Sequence, residues 1–448
     1  MNDDAELESQ IGQWRGYIQR HKAISAADVE ELEDHLRGQV SDLSTAGLSS
    51  DEAFLVSIKR MGALDALSRE FAREHSDRLW KQLVLVPAAP DGNGARPRRE
   101  LIIVLVLAVA AALSLKTGLA LLSDDALGRN VSLFVIPFLT AYFAWKRQLT
   151  VRTAAPLIVP FVLAAVVLNV FPFTHAGATE VVAAIHAPLA LWFVVGLAYV
   201  GGDWRSDRRR MDFIRFTGEW FVYLTLLALG GGVLMGLTVG AFETLDIDVE
   251  WVISDWVAPF GMAGAVIVAA WLVEAKQNVV ENIAPVLTRV FTPLTVIMLL
   301  ALLAAFATSG SVIDVNRNLL ILMDLILVLV LGLLLYAISA RDPLAAPDLF
   351  DRLQLVLVVS ALAVDVVMLA VMLSRIAEFG FTPNKTVALG LNLVLLVNLA
   401  WSAYLSLGFV RGKRGFGSVE QWQTRYLPVY GAWAAAVTLA IPPLFDFA

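Results

Sequence analysis

Five polar side chains lie inside stretches that are otherwise apolar: Lys116, Asp324, Asp365, Asn392 and Asn398. Ionisable groups in such stretches are expensive, so they are the first candidates for chemistry. One Lys and two Asp could form a buried charge network, or a proton or cation site. At the helical rise, Asp324 lies about 7 Å, Lys116 and Asn392 about 9 Å, and Asp365 about 12 Å in from the same end of their segments. A structural alternative stands beside this reading. Lys116 would snorkel to the surface, Asp324 would pair with Arg317, and Asn392 and Asn398 would join neighbouring helices. Asp365 is the deepest of the acids and has no evident partner in its own segment.

Two further groups carry charge in loops. Glu243, Asp246, Asp248 and Glu250, followed by Asp255, give an acidic patch without a basic residue. Oxygen ligands in that number suit Ca²⁺ or Mg²⁺, but the spacing matches no EF-hand, and a solvated loop is the plainer reading. Arg205, Arg208, Arg209, Arg210 and Arg215 form a basic loop beside Trp204 and Phe213. Such a cluster could bind anionic lipid heads, dock an acidic domain, or serve orientation alone. His175 and His186 lack any H-E-x-x-H spacing, and His186, before Ala187 and Pro188, reads as a helix-end polar residue. Gly232, Gly236 and Gly240 repeat every four residues, which predicts close helix packing.

The missing chemistry is informative too. No phosphate loop or nucleophile elbow is present. With no cysteine in the chain, thiol nucleophiles, cysteine metal sites, Fe–S clusters and disulfides are excluded. No catalytic constellation is visible, so an enzyme is not the expectation, and nothing implies a cofactor.

These groups need a scaffold, and its class is set by composition. The 448 residues are 58% hydrophobic and 17% charged, with mean hydropathy +0.69. Soluble domains average about 45–50% apolar and about 25% charged. The net charge of −7 argues against a nucleic-acid partner. From Leu101 onward, eleven apolar runs recur, each long enough to cross a bilayer: 101–122, 127–145, 154–172, 181–201, 218–241, 251–273, 289–308, 319–340, 353–373, 386–409 and 427–447. Pro137 and Pro160 interrupt the second and third. The expected fold is all-α, a polytopic helical membrane bundle, with the lipid bilayer as its first partner.

Loop charges predict the orientation. Alternate loops carry 19 basic residues against four in the opposite loops (Arg129, Arg317, Arg375 and Lys385). By the positive-inside rule the N-terminus is cytoplasmic and the C-terminus outside. Trp145, Trp204, Trp220, Trp251 and Trp271 fall near the span ends, as interfacial anchors do.

Residues 1–86 differ from the rest, with 16 acidic and 10 basic side chains. Helical spacing runs through Leu7, Ile11, Trp14 and Ile18, and again through Leu32, Leu36, Val40 and Leu43. Ser50 with Asp51 and Glu52 starts a third helix, with Phe54, Ile58 and Met61 on one face, and a fourth covers 63–85. Gly47 and Gly62 act as stops. Residues 87–100 form a Pro/Gly/Arg linker, leaving 101–448 as the membrane domain. No cleavable signal peptide is expected, because the first 30 residues lack an apolar core.

Glu31, Leu32, Glu33, Asp34, His35 and Leu36, then Gly47, Leu48 and Ser49, then Glu52, Ala53 and Gly62, resemble the bacterial permease-prefix module. That helical domain precedes permease-like membrane segments and is close to the sensing domain encoded beside PadR-type regulators. Residues 210–448 are similar to a family of bacterial multi-pass membrane proteins, through 274–285, 336–343 and 375–384. The resemblance implies a bacterial inner-membrane protein and brings no reaction or catalytic residue. Two functions fit. One is a sensory or regulatory protein that couples an envelope or membrane signal to the cytoplasmic head and, through residues 1–86, to a cytoplasmic protein partner. The other is a small-solute or ion transporter using the outer-half polar cluster.

Overall fold

The computed structural model describes residues 7–8, 10–12, 15, 26–45, 48–50, 52–54, 57, 95–175, 177–275, 283–308 and 317–448. The chain divides into two units, Met1–Asn93 and Gly94–Ala448. Among the described residues no strand occurs.

In the first unit, helix α1 (Ala26–Thr45) buries Leu36 and Val40, one turn apart. They pack with Ile11, Ala53 and Phe54 into a small core of their own. Arg37, on the polar side of α1, bridges Glu8 and Glu33. The third helix is capped one residue before the expected Ser50. Ser49 Oγ accepts from the Glu52 amide at 3.4 Å, and Glu52 Oε2 accepts from the Ser49 amide at 3.2 Å. This reciprocal box satisfies two otherwise orphaned donors. The fourth helix expected over 63–85, and residues 87–94 of the linker, lie outside the described residues.

The second unit comprises α2 (Ala95–Leu121), α3 (Asp124–Lys146), α4 (Val151–Ala154), α5 (Ile158–Val170), α6 (Ala178–Tyr199) and α7 (Asp207–Glu243). It continues with α8 (Glu250–Val252), α9 (Ala258–Ala275), α10 (Ile283–Thr308), α11 (Arg317–Ser339), α12 (Leu349–Phe379), α13 (Pro383–Val410) and α14 (Gly417–Leu444). A 3₁₀ turn (Ala155–Leu157) joins α4 to α5, and a π turn (Ile253–Val257) joins α8 to α9. Counting each joined pair once, eleven helices among the described residues are long and apolar enough to cross a membrane. The chain is a multi-pass α-helical membrane protein.

Pro137 stands within a continuous α3. Pro160 sits in the first turn of α5, where its missing N–H has no acceptor to serve. The irregularity falls instead at the 3₁₀ turn, which contains Pro156.

The spans pack as a ring in the order α2, α3, α6, α14, α13, α12, α11, α7, α9 and back to α2. Helix α10 packs against α11 and α12, and α5 against α3 and α6. Contacts of α14 with α7 and α11 cross the ring. Tyr142, Phe143, Tyr199 and Phe216 form an edge-to-face and stacked aromatic cluster in the core. Leu105, Val106, Val166 and Leu329 face outward and are exposed, as lipid-facing side chains are.

The glycine repeat of α7 packs against none of the described residues. A Cβ at Gly230, Gly231, Gly232, Gly236 or Gly240 would meet nothing within 4 Å. The far half of α7 stands clear of its neighbours, so these glycines make no close helix contact here. The close approach lies at Gly390 of α13, where the Trp433 indole of α14 occupies the space a Cβ would need.

Candidate functional site

Helices α11, α12 and α13 are consecutive in sequence and adjacent in the ring. Each carries one polar residue into their common interior, in the half opposite the basic loops. Asn392 Nδ2 donates to Asp324 Oδ1 at 3.1 Å. Asp365 is fully buried, and among the described residues neither of its carboxylate oxygens has a hydrogen-bond partner. Asn392 is also fully buried, and its Oδ1 is likewise unpartnered. The Asp324 carboxylate is an electrostatic neighbour of Asp365. Met323, Leu327, Val364, Met368 and Leu395 are buried in the same stretches.

The local sequence explains the placement. The face of α12 that carries Asp365 also buries Leu357, Ala361, Val364 and Met368, at helical spacing. On α13, Asn392 shares a face with Leu395 and Leu399. The polar residues ride apolar faces and are carried inward with them. A carboxylate left there without donors is very costly unless it is neutralised. The site holds two carboxylates and, among the described residues, no cation paired with either, a deficit that protons or small monovalent cations would meet. Its oxygens are those of two carboxylates and one amide. Among the described residues no three His, Asp or Glu side chains group to hold a metal ion.

The structure does not bring Lys116 or Asn398 into this trio. Lys116 Nζ donates to the Asp255 carbonyl and lies 4.9 Å from the centre of the Trp256 ring. It is thus tied to the π turn, and α9 and α7 stand between its helix and α11 in the ring. Asn398 bonds to Trp422 and Gln423 of α14.

The five arginines of the basic loop separate. Arg205 and Arg208 are exposed. Arg209 donates to the Val200 carbonyl at 2.8 Å. Arg210 is buried and pairs with Asp207. Arg215 donates to the Ser339 carbonyl of α11 through Nε at 3.0 Å. Glu243, Asp246, Asp248, Glu250 and Asp255 are all exposed, and Asp248 Oδ1 accepts from the Glu250 amide at 2.9 Å. His175 pairs with Asp125 at 2.7 Å, and His186 Nδ1 lies 2.8 Å from the Val182 carbonyl.

Other buried polar groups escaped the sequence reading. Glu274, at the end of α9, meets Arg147 at 2.9 Å and Lys146 at 3.8 Å. Glu180 meets Arg129 at 2.5 Å, and Asn130 and Asn169 exchange two amide bonds at 2.8 Å. Glu219 is buried on α7. It lies one turn beyond Arg215, and that spacing was its one available signal. Comparison of the chain with protein-family models, with curated proteins and with solved structures finds no match in any of the three.

Proposed function

We propose that this chain is a bacterial inner-membrane permease-like protein that binds a proton or a small monovalent cation at Asp365, Asp324 and Asn392. One observation carries the reading: a fully buried carboxylate with no donor, beside a second carboxylate. Purely structural polar residues in membrane bundles are expected to find partners. A binding site is different, because its partner comes and goes. In this reading the loops rich in Arg face the cytoplasm, so the trio lies in the outer half.

A sensory role, the first of the two functions that fit the sequence, is the second reading, and the N-terminal unit favours it. That unit has its own core, and residues 1–86 resemble a permease-prefix module, which suits a domain that meets a cytoplasmic protein. The membrane body would then detect a ligand without moving it.

The absence of cysteine makes the test direct. Single cysteines replace Asp324, Asp365 and Asn392 in the full chain, and membrane-impermeant thiol reagents are applied from each side. A permease predicts labelling from both sides, shifting with pH or with Na⁺ and K⁺. Labelling from the outside alone supports the sensor. Protection from both sides defeats the binding site altogether.

A further inference from the structure

A second polar centre lies at the opposite end of the bundle, between the ends of α3, α6 and α9 and the start of α7. It is a cavity of about 550 Å³, within the usual range of ligand pockets. Three guanidinium groups line it, those of Arg147, Arg209 and Arg215. Each is anchored by a backbone carbonyl: Tyr199 for Arg147 at 2.9 Å, Val200 for Arg209 at 2.8 Å, and Ser339 for Arg215. A guanidinium has five N–H donors, so such anchoring fixes its place without exhausting it. Carbonyl anchors also leave the positive charge uncancelled. Only Arg147 has a close carboxylate, Glu274 at 2.9 Å; Arg209 meets Asp203 no closer than 3.7 Å.

The same walls carry two acids. Asp212 is exposed, while Glu219 is buried seven residues further along α7. That separation is about 10 Å along the helix axis. Phe216 and Val273 supply apolar wall between the polar groups. Arginine forks match phosphate oxygens, and carboxylates match a protonated amine. A cavity that fixes both kinds of group suits a ligand with both charges.

We propose that this cavity binds a phosphate ester that carries a primary ammonium group. Arg209 and Arg215 hold the phosphate, and the exposed Asp212 holds the ammonium. Two sources offer this chemistry, the head of an aminophospholipid and free phosphoethanolamine. The inference is independent of the α11–α13 trio.

The test uses the purified full chain in a lipid-free detergent, titrated with phosphoethanolamine, phosphocholine and inorganic phosphate. Binding is read by calorimetry and by the shift in melting temperature. Phosphoethanolamine should bind saturably, and phosphocholine about tenfold more weakly, since a quaternary amine donates no hydrogen bond to a carboxylate. Arg209→Gln and Asp212→Asn, both at exposed positions, should each weaken phosphoethanolamine by about tenfold. Asp212→Asn should also erase the preference over phosphocholine. Native mass spectrometry from nanodiscs then separates the sources. Retained phosphatidylethanolamine that phosphoethanolamine displaces identifies the lipid head. Binding of the free compound without lipid retention identifies the soluble ester. Equal binding of inorganic phosphate and phosphoethanolamine overturns the ammonium site. No saturable binding of the free ester together with no selective lipid retention overturns the proposal.

Discussion

Asn398 and Gln423 meet at the buried seam between α13 and α14, with Asn398 Nδ2 donating to Gln423 Oε1 at 3.2 Å. Trp422 Nε1 donates to Asn398 Oδ1 at 2.7 Å, and Gln423 Nε2 donates to Ser402 Oγ at 2.6 Å. Ser402 Oγ in turn donates to the Asn398 carbonyl at 2.6 Å. The group is closed on itself. It contrasts with Asn392, two turns earlier on the same helix, whose oxygen is open. Asn398 is therefore glue, and Asn392 belongs to a site.

That distinction has a measurable consequence. Asn398→Ala leaves the Gln423 oxygen unpaired and the Trp422 indole N–H with only the Asn398 backbone carbonyl, at 3.4 Å. The loss should be about 1–2 kcal/mol of stability, read as a lower melting temperature in detergent. The cysteine labelling pattern at position 365 should not change. A change in that pattern would make Asn398 part of the binding site.

Asp365 should behave in the opposite sense. Replacing a buried, unpaired carboxylate by an apolar side chain of similar size is often neutral or stabilising. Asp365→Leu should thus melt at the same temperature as the parent chain or higher, while losing any response to pH or monovalent cations. A clear drop in melting temperature would instead mark Asp365 as a structural residue with a partner that matters.

The contrast shows what could be read from sequence. The eleven spans were legible because a bilayer demands about 20 apolar residues per crossing, and that demand is local. The trio was half legible. Depth along each segment placed Asp324, Asp365 and Asn392 at similar levels, and consecutive helices made them neighbours. Lys116 passed the same depth test yet is tied to Asp255 and Trp256. Depth fixes one coordinate, and the position of a helix around the ring fixes another that no local pattern encodes. Glu219 and Glu274 were missed for a related reason. Both sit where a span meets a basic loop, so their types read as interfacial, and only packing shows them buried.

The glycines offer a paired comparison. Gly390→Val places a branched side chain where the Trp433 ring already lies. Such overpacking costs about 1–3 kcal/mol, and the variant should be recovered from membranes in reduced yield with a lower melting temperature. Gly236→Ala meets open space and should gain up to about 1 kcal/mol from helix propensity. If Gly236→Ala proves as damaging as Gly390→Val, a second surface must cover the glycine face of α7 in the membrane.

Glu274 carries a further expected loss of stability. Its side chain is 2% exposed and holds Arg147 and Lys146 together at one end of α9. Removing one partner of a buried pair costs about 3–5 kcal/mol. Here Arg147 is 30% exposed and keeps the Tyr199 carbonyl, so Glu274→Gln should cost roughly 2–3 kcal/mol. Lys146 retains Glu100 at 2.5 Å, and Lys146→Met should cost less than Glu274→Gln in the same melting assay. The reverse order would place the main clamp at Glu100.

In the N-terminal unit, the pair formed by Glu8 and Arg37 sets a pH dependence. The Arg37 guanidinium donates to both Glu8 oxygens, at 2.5 and 2.9 Å, and holds that carboxyl below its ordinary value of 4.5. Arg37 itself is held more firmly protonated by Glu8 and Glu33. A carboxyl lowered in the folded state stabilises that state fully above its unfolded value, and the contribution fades as pH falls through the lowered one. The pair is largely exposed, so the effect is small and weakens with salt. Amide exchange in α1 of the full chain should therefore lose protection on acidification below about pH 4.5. Glu8→Gln should show lower protection at neutral pH and a flatter acid response. An acid response equally steep in Glu8→Gln would show that the Glu8–Arg37 pair does not set it.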